Sequence, residues 1–377
     1  MMAISRRHLF KLFGAGLTAS LFPVVNSAFA SVVAQPFYLS AFSDNDDNHF
    51  IGLVNNAGSL VRQWPVPARG HGAAVLSSGR WVAFFSRRPG LWLTVVDIRN
   101  EFSPVTLQPS QGRHWYGHGV FSHDSNLLYT SENDYDNDGR GVIGVYAVST
   151  SGTACEIVKV NEFSSHGVGP HELALMDDGK TLVVANGGIQ THPDYARMKL
   201  NLDSMRSTVS FIDVSTGKLL AEHAAPKQLL SLRHLSLVGD GVIVGAQYQG
   251  NPQDSPMLVY KASQRAGLVP FTGQPAADLA ACNQYIASVA TSPSGSYAVT
   301  TAPRGNRVSI WSLENNTWLY DMDAFDVGGA AFSLTGENVM LSSGDGSIHE
   351  LDIKARSIKE LSVAAGLHWD NHLQIFG

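Results

Sequence analysis

The chain has 377 residues, 44% hydrophobic and 15% charged, enough for a large core and unlike a disordered or coiled-coil protein. Its 36 glycines and 16 prolines favour short strands and tight turns over long helices. A formal charge of −6 with no long basic tract argues against a nucleic-acid partner, because phosphate recognition needs Lys and Arg clustered on one face.

The chain opens on Ser5-Arg6-Arg7-His8-Leu9-Phe10-Lys11, followed by the apolar stretch from Leu12 to Val25 and the small-residue site Ala28-Phe29-Ala30. This order predicts a twin-arginine signal over residues 1–30, cleaved after Ala30. Pro23, Asn26 and Ser27 cut the apolar run below the ~20 residues that cross a bilayer, so no membrane span is expected in the mature chain, residues 31–377. Cleavage lowers Lys and Arg from 26 to 23 against 32 acids and leaves an acidic periplasmic protein near −9. Cys155 and Cys282 are the only cysteines, which excludes Cys-rich metal sites and covalent haem.

Beyond the signal the sequence repeats. Gly70-His71-Gly72, Gly117-His118-Gly119, Pro170-His171-Glu172 and Arg233-His234-Leu235 each lead into an apolar run, and six residues after each histidine stand Ser77, Asp124, Asp177 and Asp240. Ser288 to Ser294 and Gly329 to Thr335 keep the spacing without the histidine. Each unit reads strand, hairpin turn, strand, and carries a later strand such as Leu93 to Ile98 or Val209 to Val214. Six units are explicit. Phe37 to Val66 supplies three more strands and His372 to Phe376 a fourth, so the sequence predicts an all-β, seven-bladed β-propeller whose last blade is closed by strands from both termini. An insertion from Thr191 to Met205 is expected to hold a helical turn over one face, with His192 and Asp194 on it.

In a propeller the first strand of each blade lines the central channel. The register therefore brings His71, His118, His171, His234 and His372 to one level of the channel mouth, where several neutral imidazoles suit a transition metal, iron or copper before zinc. The same ring, partly protonated, would attract a small anion. Arg69, Arg113 and Arg233 stand beside histidines, and Arg88, Glu132, Asn186, Gln247 and Arg304 end second strands on the same face, so these eight are the remaining binding candidates. Asp134-Tyr135-Asp136-Asn137-Asp138-Gly139 opens like a calcium loop but has Val145 where the closing glutamate belongs. No nucleophile elbow, phosphate-binding glycine loop or metalloprotease helix is present, so catalysis has no supporting motif.

The segments Gly117-His118-Gly119, Glu132-Asn133-Asp134-Tyr135, Gly167-Val168-Gly169-Pro170-His171-Glu172, Ala185-Asn186-Gly187-Gly188-Ile189 and Lys199-Leu200-Asn201-Leu202, behind a twin-arginine signal, resemble the bacterial family called domain of unknown function 1513. The resemblance covers essentially the whole mature chain. It implies an exported, WD40-like propeller working near imelysin-type periplasmic iron-regulated proteins, hence a role in iron acquisition, with no established activity or catalytic residues. The leading expectation is a metal-binding periplasmic propeller; the rivals are a non-catalytic interaction scaffold of an iron-uptake system and a metal-dependent lactonase or oxidoreductase, the last resting on fold analogy alone.

Overall fold

The computed structural model describes residues 37–151, 154–195 and 198–376; the signal segment and its cleavage site lie outside the described residues. The first blade runs Gly70–Val75, Trp81–Ser86, Leu93–Asp97 and Val105–Leu107, each strand antiparallel to the next. Five more four-stranded sheets follow in the same order, beginning with Arg113–Phe121, Pro170–Leu175, Leu230–Val238, Ser288–Thr291 and Val327–Phe332. The seventh blade takes Phe37–Asp44, His49–Val54 and Leu60–Val66 from the front of the chain. Its innermost strand comes from the tail in two pieces, Leu367–Trp369 and Gln374–Phe376, both antiparallel to Phe37–Asp44. First strands of successive blades touch in cyclic order, and Gln374–Phe376 touches both Val327–Phe332 and Gly70–Val75. The protein is a seven-bladed β-propeller, with its ring shut by pairing the two ends of the chain.

Burial explains why the inner strands read as continuous apolar runs. Trp81–Ser86, Thr181–Asn186 and Gly241–Tyr248 are buried along their whole length, because a neighbouring blade covers each face. The core is thus divided into wedges between blades: Ile51, Leu53 and Trp64 of the closing blade pack with Val82, Phe84 and Val96 of the first, and Tyr129 and Ile143 pack with Leu182 and Val184. Outer strands such as Thr317–Asp323 carry no buried residue.

Helical structure is local. Ala276–Ala281 forms a short α-helix; alanine has the highest helix propensity, and Pro275 stands at its start. Cys282 ends that helix, and both it and Cys155 are buried and free. The insertion holds two short 3₁₀ turns, Pro193–Tyr195 and Leu202–Ser204, in line with the helical turn expected there. Among the described residues no helix is long and apolar enough to cross a membrane.

Candidate metal centre

The histidines sit at or beside breaks in the ladders of their strands. Pairing of the first with the second strand slips between Gly70 and Ala73, between Trp115 and Gly119, between Pro170 and Glu172, and between Leu232 and His234. In the closing blade the tail strand breaks between Trp369 and Gln374, with His372 in the break. A bulge inserts extra residues and re-aims side chains: His71, His118 and His171 lie within the slips, whereas in the fourth blade the extra residue is Arg233 and His234 follows it, paired with Gly245. The strand Ser288–Thr291 has neither slip nor histidine, and the slip between Val327 and Gly329 contains only Gly328.

The five imidazoles converge. Ring centroids lie 4.4 Å apart for His71 and His372, 4.7 Å for His118 and His372, 4.8 Å for His171 and His234 and for His234 and His372, and 4.9 Å for His71 and His118. His71, His118, His171 and His234 are buried and His372 is half-buried. Backbone without side chains makes this approach possible. A Cβ on Gly72 would stand 2.7 Å from His118 Nδ1, and one on Gly117, whose φ is +110°, would stand 2.6 Å from His71 Cδ2. Ser131 donates hydrogen bonds to the carbonyls of both His118 and His171 and ties two neighbouring bulges together.

Asp370 fixes the first ring. His71 Nδ1 donates to Asp370 Oδ1 at 2.8 Å, which leaves His71 Nε2 as a lone pair directed at the cluster, 3.3 Å from His372 Nε2. Two nitrogens held at ~2.0–2.1 Å by one tetrahedral ion stand roughly 3.3 Å apart, so this spacing fits a shared metal. Carboxylate-supported imidazole is the usual outer shell of a histidine metal site. Arg69 Nε donates to Asp370 Oδ2 at 2.6 Å and Arg87 approaches at 3.4 Å. On the opposite side Glu172 Oε2 lies 3.3 Å from His234 Nδ1, and Glu172 Oε1 lies 3.8 Å from His118 Nδ1. Among the described residues, three sets have ligand atoms within 4.8 Å of one another: His71 with His118 and His372, His118 with His171 and His234, and Glu172 with His234 and His372. His118 Nε2 and His171 Nδ1 are buried with no hydrogen-bond partner among the described residues.

The electrostatics keep these rings neutral. Burial lowers His71 to about 4 and His234 to about 3, and holds His118, His171 and His372 well below the ordinary histidine value. Neutral imidazole is the form that ligates a metal. Burial also pushes Glu172 up to about 8, against the Leu235 N–H that it accepts. Asp370 goes the other way: burial opposes its charge, but the bond from His71 and the charges of Arg87 and Arg69 hold its carboxyl well below the usual range.

The eight other candidates divide into three groups. Arg69 supports Asp370. Arg88, Arg233, Gln247 and Arg304 line one separate cavity. Arg113, Glu132 and Asn186 are held by partners within their own blades or a neighbouring strand. Arg113 pairs with Asp134 and Glu162; Glu132 accepts from Thr130, Tyr146 and Lys159; Asn186 donates to Ser165, Thr208 and Ser210. Strand alternation decides the matter at Glu132, since its neighbour Ser131 is the residue that reaches the histidine carbonyls. The Asp134–Gly139 segment is a hairpin turn whose Asp134 carboxylate accepts from Asn137 and Arg140, and its acids form none of the three ligand sets. His192 packs on Tyr135, 4.7 Å between rings, and Asp194 is 3.7 Å from it, apart from the five-ring cluster. Asp370 and Glu172 are the functional groups that sequence spacing passed over; each stands within two residues of a repeated histidine.

Comparison with known proteins places the fold and the family. A search of curated proteins finds no match. Among solved structures, a chain of Kuenenia stuttgartiensis hydrazine synthase is similar at 15% identity and a TM-score of 0.57, over 86% of this chain and 94% of that one. At that identity the likeness is one of fold alone. The family model described as "Protein of unknown function (DUF1513)" matches residues 64–376, a span that contains all five clustered histidines, and the chain belongs to that family.

Proposed function

We propose that this protein binds a transition-metal ion at the five-histidine cluster and serves metal acquisition outside the cytoplasm. The observation that carries the reading is the convergence of five neutral imidazoles from five blades, with the outer nitrogen of His71 bonded to Asp370. One buried histidine is readily explained as a hydrogen-bonding core residue; five, with two ring nitrogens lacking partners, call for a common ligand. Imidazole with a single carboxylate and no thiolate suits copper, iron or zinc. Copper is favoured by intrinsic affinity, and iron by the resemblance to proteins encoded near imelysin-type iron-regulated partners. The twin-arginine pattern at Arg6 and Arg7 supports delivery to the periplasm, where such partners work.

The test is elemental analysis of the untagged protein purified from the periplasm, beside the His118→Ala, His171→Ala double variant. Near-stoichiometric iron, copper or zinc that disappears in the variant is the expected result. A wild type that carries no metal and takes up none of these ions when they are added would overturn the reading.

A further inference from the structure

We infer that the cavity of about 170 Å³ bordered by Arg87, Arg88, Lys199, Arg233 and Arg304 is a binding site for a small oxyanion carrying two or more negative charges. Three blades and the insertion contribute to it. Arg87 and Arg88 follow the strand Trp81–Ser86, Arg233 occupies the bulge beside His234, and Arg304 sits in the 3₁₀ turn Pro303–Gly305. Thr191 and Lys199 reach it from the insertion, Gln247 from the second strand of the fourth blade. No carboxylate lines the cavity among the described residues.

Elsewhere half-buried arginines are paired with carboxylates. Arg80 is bonded to Asp97 and Glu101, and Arg113 to Asp134 and Glu162. Arg233 differs: it is 2% exposed, and its Nε has no hydrogen-bond partner among the described residues. A buried guanidinium held among other cations is costly without a counter-charge, so a site of this kind is completed by an anion. The remaining lining is built for oxygen. Arg304 stacks on the ring of Tyr285 at 4.2 Å, which fixes the plane of its fork, and Tyr285 is in turn bonded to Asn371. Gln247 and Thr191 add neutral groups that recognise a carbonyl or hydroxyl. The cavity has room for several water molecules, so inorganic phosphate or a short di- or tricarboxylate fits.

The inference does not depend on the metal reading and is tested on metal-stripped protein. Calorimetric titration at fixed ionic strength with citrate, succinate, phosphate and sulfate is expected to show saturable binding, near one per chain, of at least one of them. Binding confined to citrate or succinate assigns an organic acid; binding confined to phosphate or sulfate assigns an inorganic oxyanion. Arg304→Gln, an exposed position where folding is not at stake, should weaken binding at least tenfold, and Arg233→Gln more. His118→Ala should leave it unchanged, and metal content measured on the same samples reads the histidine cluster separately. Absence of saturable binding by all four anions at millimolar concentration, or equal affinity in wild type and both arginine variants, would overturn the assignment.

Discussion

Arg233 and His234 are adjacent in the chain, one inserted in a bulge and the next back in register, yet they belong to two proposed sites of opposite character. The histidine cluster is drawn from first strands and is held by the ladder, by Ser131 and by close glycine backbone. The arginine cavity is drawn mainly from the ends of second strands and from an insertion. One offers neutral lone pairs, the other fixed positive charge. A strand-held cluster places its atoms to within the tolerance a metal demands, whereas a loop-built cationic pocket accepts a range of anions because charge is forgiving of direction.

The largest expected effect comes from dismantling the strand-held side. The His118→Ala, His171→Ala double variant should lose essentially all bound metal while anion binding is retained, a contrast that would collapse if the two sites were one. Asp370→Asn is the next test. It keeps the shape but weakens the support of His71, and outer-shell changes of this type cost about 10–100-fold in metal affinity. It also leaves Arg69 and Arg87 without their shared carboxylate, so a loss of about 3 kcal/mol in chemical denaturation is expected as well.

Acidity should separate the two regions again. Each buried histidine has a folded pKa below its unfolded one, so the unfolded chain binds more protons, and the stability held above about pH 6.5 is lost as pH falls towards the folded values of about 4 for His71 and 3 for His234. The slope reaches roughly 1.4 kcal/mol per pH unit for each histidine that stays neutral in the fold. Glu172, raised to about 8, acts in the opposite sense: the stability it adds at low pH is lost as pH rises through 8. Metal-free protein should therefore melt highest between these limits, and melting curves from pH 4 to 9 check it; a flat profile would mean the rings are solvated. The smallest effect is expected from Gly117→Ala, where positive φ and a Cβ against His71 should cost about 2 kcal/mol and displace one ring of the cluster.

The repeat made the propeller and the histidine ring legible in the sequence, because spacing survives even where register does not. What spacing could not convey was the bulge. Period-two alternation turns Glu172 away from His171, but the slip between Pro170 and Glu172 brings both to the channel. The apolar pattern starts the tail strand at His372, which leaves Asp370 outside it, whereas the strand begins at Leu367 and is interrupted where Asp370 and His372 lie. Glu132 shows the reverse: its pairing with Val142, and that of Ser131 with Ile143, runs unbroken along the third strand, so alternation holds and the acid points into its own blade. The arginine cavity was readable only as separate residues, because loops carry no register that would assemble them.

The closing blade has a consequence for how the molecule matures. Asp370 and His372 arrive on the same segment that shuts the ring. Until that tail has docked against Phe37–Asp44, His71 lacks both its carboxylate and its nearest imidazole. The cluster is assembled by the act of closing the propeller, so a chain that remains unlatched would also lack the full set of imidazoles proposed to hold an ion. A bound ion joining His71 to His372 would in turn act as the clasp between the first blade and the last.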